Sequence, residues 1–224
     1  MHIPDGFLSP ETAALMWIIS AATLILAWKK AKSEYKHSLS SILAVSSAFV
    51  FVAQMLNFPI IYGTSGHLVG GTFLAMILGP YAAIISMTIV LLIQALFFAD
   101  GGLLSLGANI FNMAVIGALS FFIVKAIAGK SEKGGKFYLG VFAASWLSVV
   151  LGALACSLEI GVSPVFAEAG GLSVTVPAML FWHTFIGLAE AALTTTFITQ
   201  LYRLQPTVLN GLKFLRSGCY ARDN

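Results

Sequence analysis

Charge is what this 224-residue chain has least of. Asp, Glu, Lys and Arg make up 9% of it and 58% is hydrophobic, whereas an ordinary soluble domain is about one-quarter charged. Several long apolar runs then make this a polytopic membrane protein. Two cysteines, Cys156 in an apolar run and Cys219 in a polar tail, cannot form a disulfide framework and read as free thiols. No zincin motif is present. Gly129-Lys130-Ser131 looks like the end of a phosphate-binding loop, but position 124, where that loop needs glycine, is Val124 and no strand precedes it. The sequence therefore carries no ATP site, and no nucleic-acid partner is expected.

A membrane span needs roughly 17–25 residues. The apolar runs place spans at about 10–28, 41–56, 67–79, 80–98, 104–127, 137–158 and 177–204. Ser9 is the expected N-cap and Pro10 the first helical residue of the first span. Pro177 is expected to open the seventh, after a Gly-rich loop from Glu159 to Val176. The third is short. It is kept because the lysines of 29–36 and those of 125–136 belong on one side of the membrane, which requires an even number of crossings between them. The expected fold is all-α: one transmembrane domain of seven helices, N-terminus outside and C-terminus inside. Residues 1–9 form an external segment and 205–224 a basic cytoplasmic tail, and all 12 Lys and Arg fall inside. The location is the inner (plasma) membrane.

The first residues, Met1-His2-Ile3-Pro4-Asp5-Gly6-Phe7, carry a specific chemistry. The terminal amine, the backbone nitrogen of His2 and its Nδ1 can chelate one metal ion through fused five- and six-membered rings. Only an ion able to displace the amide proton gains from this, and nitrogen-rich square-planar sets point to Ni(II) or Cu(II). The tail has no Lys or Arg, so it lacks the charged start of a cleavable signal peptide. The bulk of His2 is expected to hinder removal of Met1. Pro4 and Gly6 suit a tail that folds back. Three other histidines are available for the fourth position. His37 falls in the cytoplasmic loop. His67, after the Gly63-Thr64-Ser65-Gly66 turn, falls on the same outer side as His2 and is the favoured ligand.

Around this set stand polar residues at membrane depth, where ionisable groups are functional by default. His183 and Glu190, seven apart, share a helix face. Asn109, Asn112 and Gln94 need partners, either between helices or on a ligand imidazole. Ser65, Asn109, His183 and Glu190 are the candidates for supporting groups. Ala27 and Ala31 make a small-xxx-small pair at the inner end of the first span, a spacing that permits close helix contact.

Three features taken together, Met1-His2-Ile3-Pro4-Asp5-Gly6-Phe7-Leu8 at the start, Gly66-His67, and His183-x-x-x-Gly187-x-x-Glu190-Ala191, resemble the CbiM/NikM family. These are the substrate-capture (S) components of energy-coupling factor transporters for cobalt and nickel. The resemblance covers essentially the whole chain. It implies that Met1 and His2 supply amine, amide and imidazole nitrogens and that His67 supplies the fourth. It implies Ni²⁺, or alternatively Co²⁺, as transported substrate. The implied partners are a transmembrane T component, two ATPase subunits and a small accessory membrane subunit, with Ala27 and Ala31 as a contact to such a partner. On this reading the chain is not an enzyme. Two other classes are distinguishable: a self-sufficient channel or secondary transporter relaying cations through His183 and Glu190, and an intramembrane acid–base enzyme using those residues with Asp100.

Overall fold

In lipid the backbone must satisfy its own hydrogen bonds, so apolar runs become helices. The computed structural model describes residues 1–34, 40–129, 131, 133–209 and 211, and these are almost wholly helical. Lys36, His37, Lys130, Lys213, Arg216, Cys219 and Arg222 lie outside the described residues. Helix α1 spans Pro10–Glu34, α2 Ser40–Met55, α3 Gly71–Leu78, α4 Pro80–Phe97, α5 Leu106–Asn109, α6 Ile116–Ala128, α7 Gly135–Gly161, α8 Pro164–Ala167 and α9 Leu172–Leu204. A π-helical turn, Ile110–Val115, joins α5 to α6 so that the three run as one rod.

Among the described residues five units are long and apolar enough to cross a membrane: α1, α4, the α5–α6 rod, α7 and α9. The sixteen-residue α2 is shorter. The expected third span is the main departure. Its helix, α3, has eight residues, about 12 Å at ~1.5 Å per residue, under half a bilayer core. All eight are buried. Residues 67–70 ahead of it are irregular, which is tolerated at membrane depth only inside protein. A two-residue antiparallel pair, β1 Phe58–Pro59 with β2 Ser65–Gly66, precedes them, with Phe58 opposite Gly66 and Pro59 opposite Ser65. The sequence showed only a loop there.

The helix ends shift for simple reasons. Ser9 caps α1 as expected, its Oγ accepting from Thr12 N at 3.2 Å. The helix then continues past Trp28, because Lys29, Lys30 and Lys32 favour helix and no breaker intervenes. These lysines stand on helical turns rather than in a loop, with Lys30 Nζ 5.3 Å from the Tyr81 ring centroid. Pro177 lies inside α9 rather than opening it. The start is set by Gly170 and Gly171, both at positive φ, and a proline this early removes a single helical hydrogen bond. The expected loop before it holds the end of α7 and all of α8.

Bare glycines bring the site-bearing elements together. A Cβ on Gly71 would lie 2.5 Å from Gly117 Cα, and one on Gly107 2.6 Å from Trp17 Cα. These approaches lock α3 to α6 and α1 to α5. Ala27 and Ala31 are 1% and 3% exposed. Their small size is used inside this chain, so they offer no open face to a partner as the sequence suggested.

Candidate metal centre

The N-terminal tail is built into the bundle. Met1 and Ile3 are fully buried and His2 nearly so. Asn109 on α5 holds Ile3 from both sides. Its Oδ1 accepts from Ile3 N at 2.8 Å and its Nδ2 donates to Ile3 O at 3.1 Å. Gly102 N also donates to Ile3 O, at 2.9 Å. The Asp5 carboxylate accepts from the N–H groups of Leu103, Leu104 and Ser105 at 3.1, 2.8 and 3.1 Å, neutralising free donors ahead of α5. Gly6, at φ 90°, then turns the chain towards α1.

Held in this way, the terminus comes against His67, with the His2 imidazole beside it. The terminal amine lies 2.7 Å from His67 Nε2. Two nitrogens at right angles on one metal, each about 2.0 Å away as imidazole ligands are, stand about 2.8 Å apart. The amine also donates to Ser65 O, and to Ser65 Oγ at 3.1 Å. His2 N donates to the same hydroxyl at 3.1 Å. The two imidazoles stack with centroids 4.4 Å apart and planes 24° apart.

Their outer hydrogen bonds fix the tautomers. His67 Nδ1 donates to Leu68 O at 2.8 Å, leaving the lone pair on Nε2, the atom that faces the amine. His2 Nε2 donates to Gln94 Oε1 at 3.1 Å, leaving the lone pair on Nδ1. That Nδ1 is buried with no hydrogen-bond partner. Asp100 Oδ1 is 3.2 Å away, but the alignment is not that of a hydrogen bond. A second shell of this kind sets ligand orientation and basicity.

Electrostatics reinforce the arrangement. Burial lowers the terminal amine to about 5 and, with repulsion from the amine, His2 to about 3. Both groups are therefore unprotonated at neutral pH and present lone pairs. Asp100 is held above the usual carboxylate range by partial burial, opposed by the amine and by its hydrogen bond from Asn57.

Among the described residues no three His, Cys, Asp or Glu side chains converge on one point.

The four supporting residues expected from sequence take different places. Ser65 touches both the amine and the His2 amide. Asn109 grips Ile3 and not an imidazole. His183 Nδ1 donates to Met179 O at 2.8 Å, and its Nε2 faces the Ser65 backbone without hydrogen-bond alignment. Glu190 does not pair with His183. Its carboxylate accepts from Val69 N at 2.5 Å and Gly70 N at 2.9 Å, fixing the loop that carries His67. Gln54 Nε2 donates to Val69 O at 2.7 Å and completes that grip. Asn112 Nδ2 bonds Glu159 Oε2 at 2.6 Å, away from the imidazoles. Asp5 and the position of Asp100 beside His2 escaped the sequence reading, since nothing in spacing alone brings residue 100 to residue 2.

The model of the cobalt uptake substrate-specific transmembrane region, CbiM, matches residues 2–208. The chain belongs to this family. A putative fused nickel transport protein NikMN of Archaeoglobus fulgidus is 38% identical over 210 residues, covering 93% of this chain and 68% of that one. The chain thus spans about two-thirds of the fused protein. The cobalt transport protein CbiM of Thermosipho melanesiensis is 35% identical over 209 residues, 91% of this chain and 87% of that one. A crystal structure of a transition metal transporter superposes with a TM-score of 0.84 at 37% identity, over 91% of this chain and 93% of that one. As a CbiM-family chain with five apolar span-length units, it is a multi-pass membrane protein with a place in metal transport.

Proposed function

We propose that this CbiM-family chain captures Ni²⁺ from outside the cell in a square-planar site. The ligands are the Met1 amine, the ionised His2 amide, His2 Nδ1 and His67 Nε2. The observation that carries the reading is the amine 2.7 Å from His67 Nε2, beside a buried His2 Nδ1 that no donor satisfies. Nickel ranks first because an ionised amide suits a planar Ni(II) and because the similar fused transporter named above is a nickel protein. Cobalt is the alternative, since a cobalt transporter is similar over nearly the same length. Cu(II) would bind such a set at least as well on affinity alone, so availability and the rigidity of the site must contribute to selection.

Having no phosphate-binding loop, the chain depends on an ATP-driven module of the energy-coupling factor type: a T component, two ATPases and a small accessory subunit. The proposed topology has seven passes with the site outside. The supporting geometry is that Ser65 and Asp100 both lie at the site while α4 alone descends about 27 Å between Phe97 and Pro80. Residues 65–79 must therefore cover the same depth. The rival relay through Glu190 loses support because that carboxylate is engaged by two backbone N–H groups. The acid–base enzyme loses it because His183, Glu190 and Asp100 do not converge.

The test compares the native protein with one carrying a single extra N-terminal residue, which displaces the amine and leaves every side chain in place. The native form should bind one Ni²⁺ and the extended form none at the same concentration, by calorimetry and metal analysis. Equal binding by both would sink the proposal.

A further inference from the structure

The proposed site has one feature that its four nitrogens leave unexplained. Gln94, at the end of α4, fixes two groups against each other. Its side-chain Oε1 holds His2 Nε2 at 3.1 Å, and its backbone carbonyl accepts from Asp100 N at 3.2 Å. The turn between them places Ala99 and Gly101 at φ 53° and 88°. A non-glycine residue at positive φ is strained, and Ala99 bears that strain in the turn that aims Asp100 at the site, as Tyr62 does in the turn before Ser65. The result is Asp100 Oδ1 3.2 Å from His2 Nδ1. Both atoms present lone pairs, and no proton aligns between them. Two acceptors facing each other in a poorly solvated place repel. A cation between or beside them removes the repulsion.

Charge counting points the same way. Amine and imidazole are neutral ligands, and the ionised amide supplies one negative charge. A divalent ion in this plane retains one positive charge in a buried setting, which is costly without a counter-charge. Asp5 is spent on three backbone N–H groups and Glu190 on two, while Glu159 faces Asn112 through Oε2. Asp100 acts electrostatically on the terminal amine. Its side chain is 14% exposed, against 2% for His2, so it reaches both solvent and site. Asn57 Nδ2 holds its second oxygen at 3.0 Å, leaving Oδ1 free to turn inward.

We propose that Asp100 is the portal and counter-charge residue of this site: its carboxylate takes the hydrated divalent ion at the mouth, passes it to His2 Nδ1 and then balances the bound ion from outside the nitrogen plane. This rests on the ligand set proposed above.

The test uses Ni²⁺ alone with the full-length protein, following the absorption of the planar Ni–amide chromophore by stopped flow and Kd by calorimetry. Asp100→Asn should lower the association rate at least tenfold and weaken Kd at least tenfold, with the band position unchanged because the plane is intact. Asp100→Glu, which restores the charge, should recover most of the rate. Glu168→Gln, the loss of an exposed carboxylate elsewhere, should change nothing, which separates a local effect from net charge. Rate and Kd for Asp100→Asn within threefold of the native values overturn the proposal. So does a shifted band with an unchanged association rate, which would make Asp100 a resident ligand. The N-terminally extended protein separates the two readings. If it binds as the native form does, the terminus reading has failed. If it does not bind and Asp100→Asn behaves as native, only the role of Asp100 has failed.

Discussion

At the residue scale the centre is a set of suppressed basicities. Burial holds the terminal amine at about 5 and His2 at about 3. The sign follows directly: lowered values mean the protonated forms are disfavoured, so protonation of the amine and the His2 imidazole competes with metal only on the acid side of about pH 5. Between pH 6 and 8 the one proton displaced is that of the His2 amide. Ni²⁺ affinity should therefore rise about tenfold per pH unit across that range, with one proton released per ion, and the slope should approach two below about pH 5 as the amine protonates. Calorimetry in buffers of different ionisation enthalpy counts the protons. A count of zero near pH 7 would remove the amide from the ligand set, and a count of two or more would mean that the amine or an imidazole is still charged in the empty site. Met1, His2 and His67 are candidates from the sequence because a chelate ring depends only on bonded neighbours and a shared membrane side narrows the choice of the fourth nitrogen; the structure brings the three residues together. The tautomers were not. They are decided by Leu68 O and Gln94 Oε1, which reach the imidazoles through the fold and not through spacing.

At the element scale the short α3 and the irregular stretch before it matter most. Residues 67–70 run at membrane depth without a helical ladder, so their backbone groups need outside partners. Glu190 takes the N–H groups of Val69 and Gly70, and Gln54 takes the carbonyl of Val69. Glu190 is thus a positioning residue for His67, about two helical turns from the metal plane along α9. Glu190→Gln leaves one oxygen where two N–H groups converge and turns an NH₂ towards the other. Loss of a supporting group of this kind costs roughly 10–100-fold in metal affinity. The variant should bind Ni²⁺ in that weaker range while keeping its helical circular dichroism; unchanged Kd would show that the loop holds its shape without the carboxylate. The seven-residue spacing of His183 and Glu190 correctly put them on one buried face of α9. It could not tell that Glu190 serves backbone amides while His183 bonds Met179 O. Hydropathy likewise found the apolar run at 67–79, but it cannot see that the first four residues of that run are not helix when surrounding protein supplies the hydrogen bonds.

At the scale of the whole molecule, charge divides along the bundle axis. Asp5, Asp100 and Glu168 lie at the end that holds the site. Lys29, Lys30 and Lys32 end α1, Lys125 ends α6, Lys136 opens α7 and Arg203 ends α9, all at the opposite end. This segregation was readable from sequence, because the basic clusters fall between alternate apolar runs. The positive-inside rule assigns the lysine end to the cytoplasm, so in the proposed topology the nitrogen site opens outward. Single-cysteine reporters test this. Cys156 is buried and inert to an aqueous reagent, and Cys219→Ser removes the other thiol. In that background Val165→Cys, on the exposed face of α8, should react with a membrane-impermeant maleimide in intact cells. Lys32→Cys, exposed near the end of α1, should react only after the membrane is opened. Labelling of Lys32→Cys in intact cells with protection of Val165→Cys would invert the molecule. The site would then face the compartment into which an uptake component releases its ion, and capture from outside would have to be abandoned even with the ligand set intact.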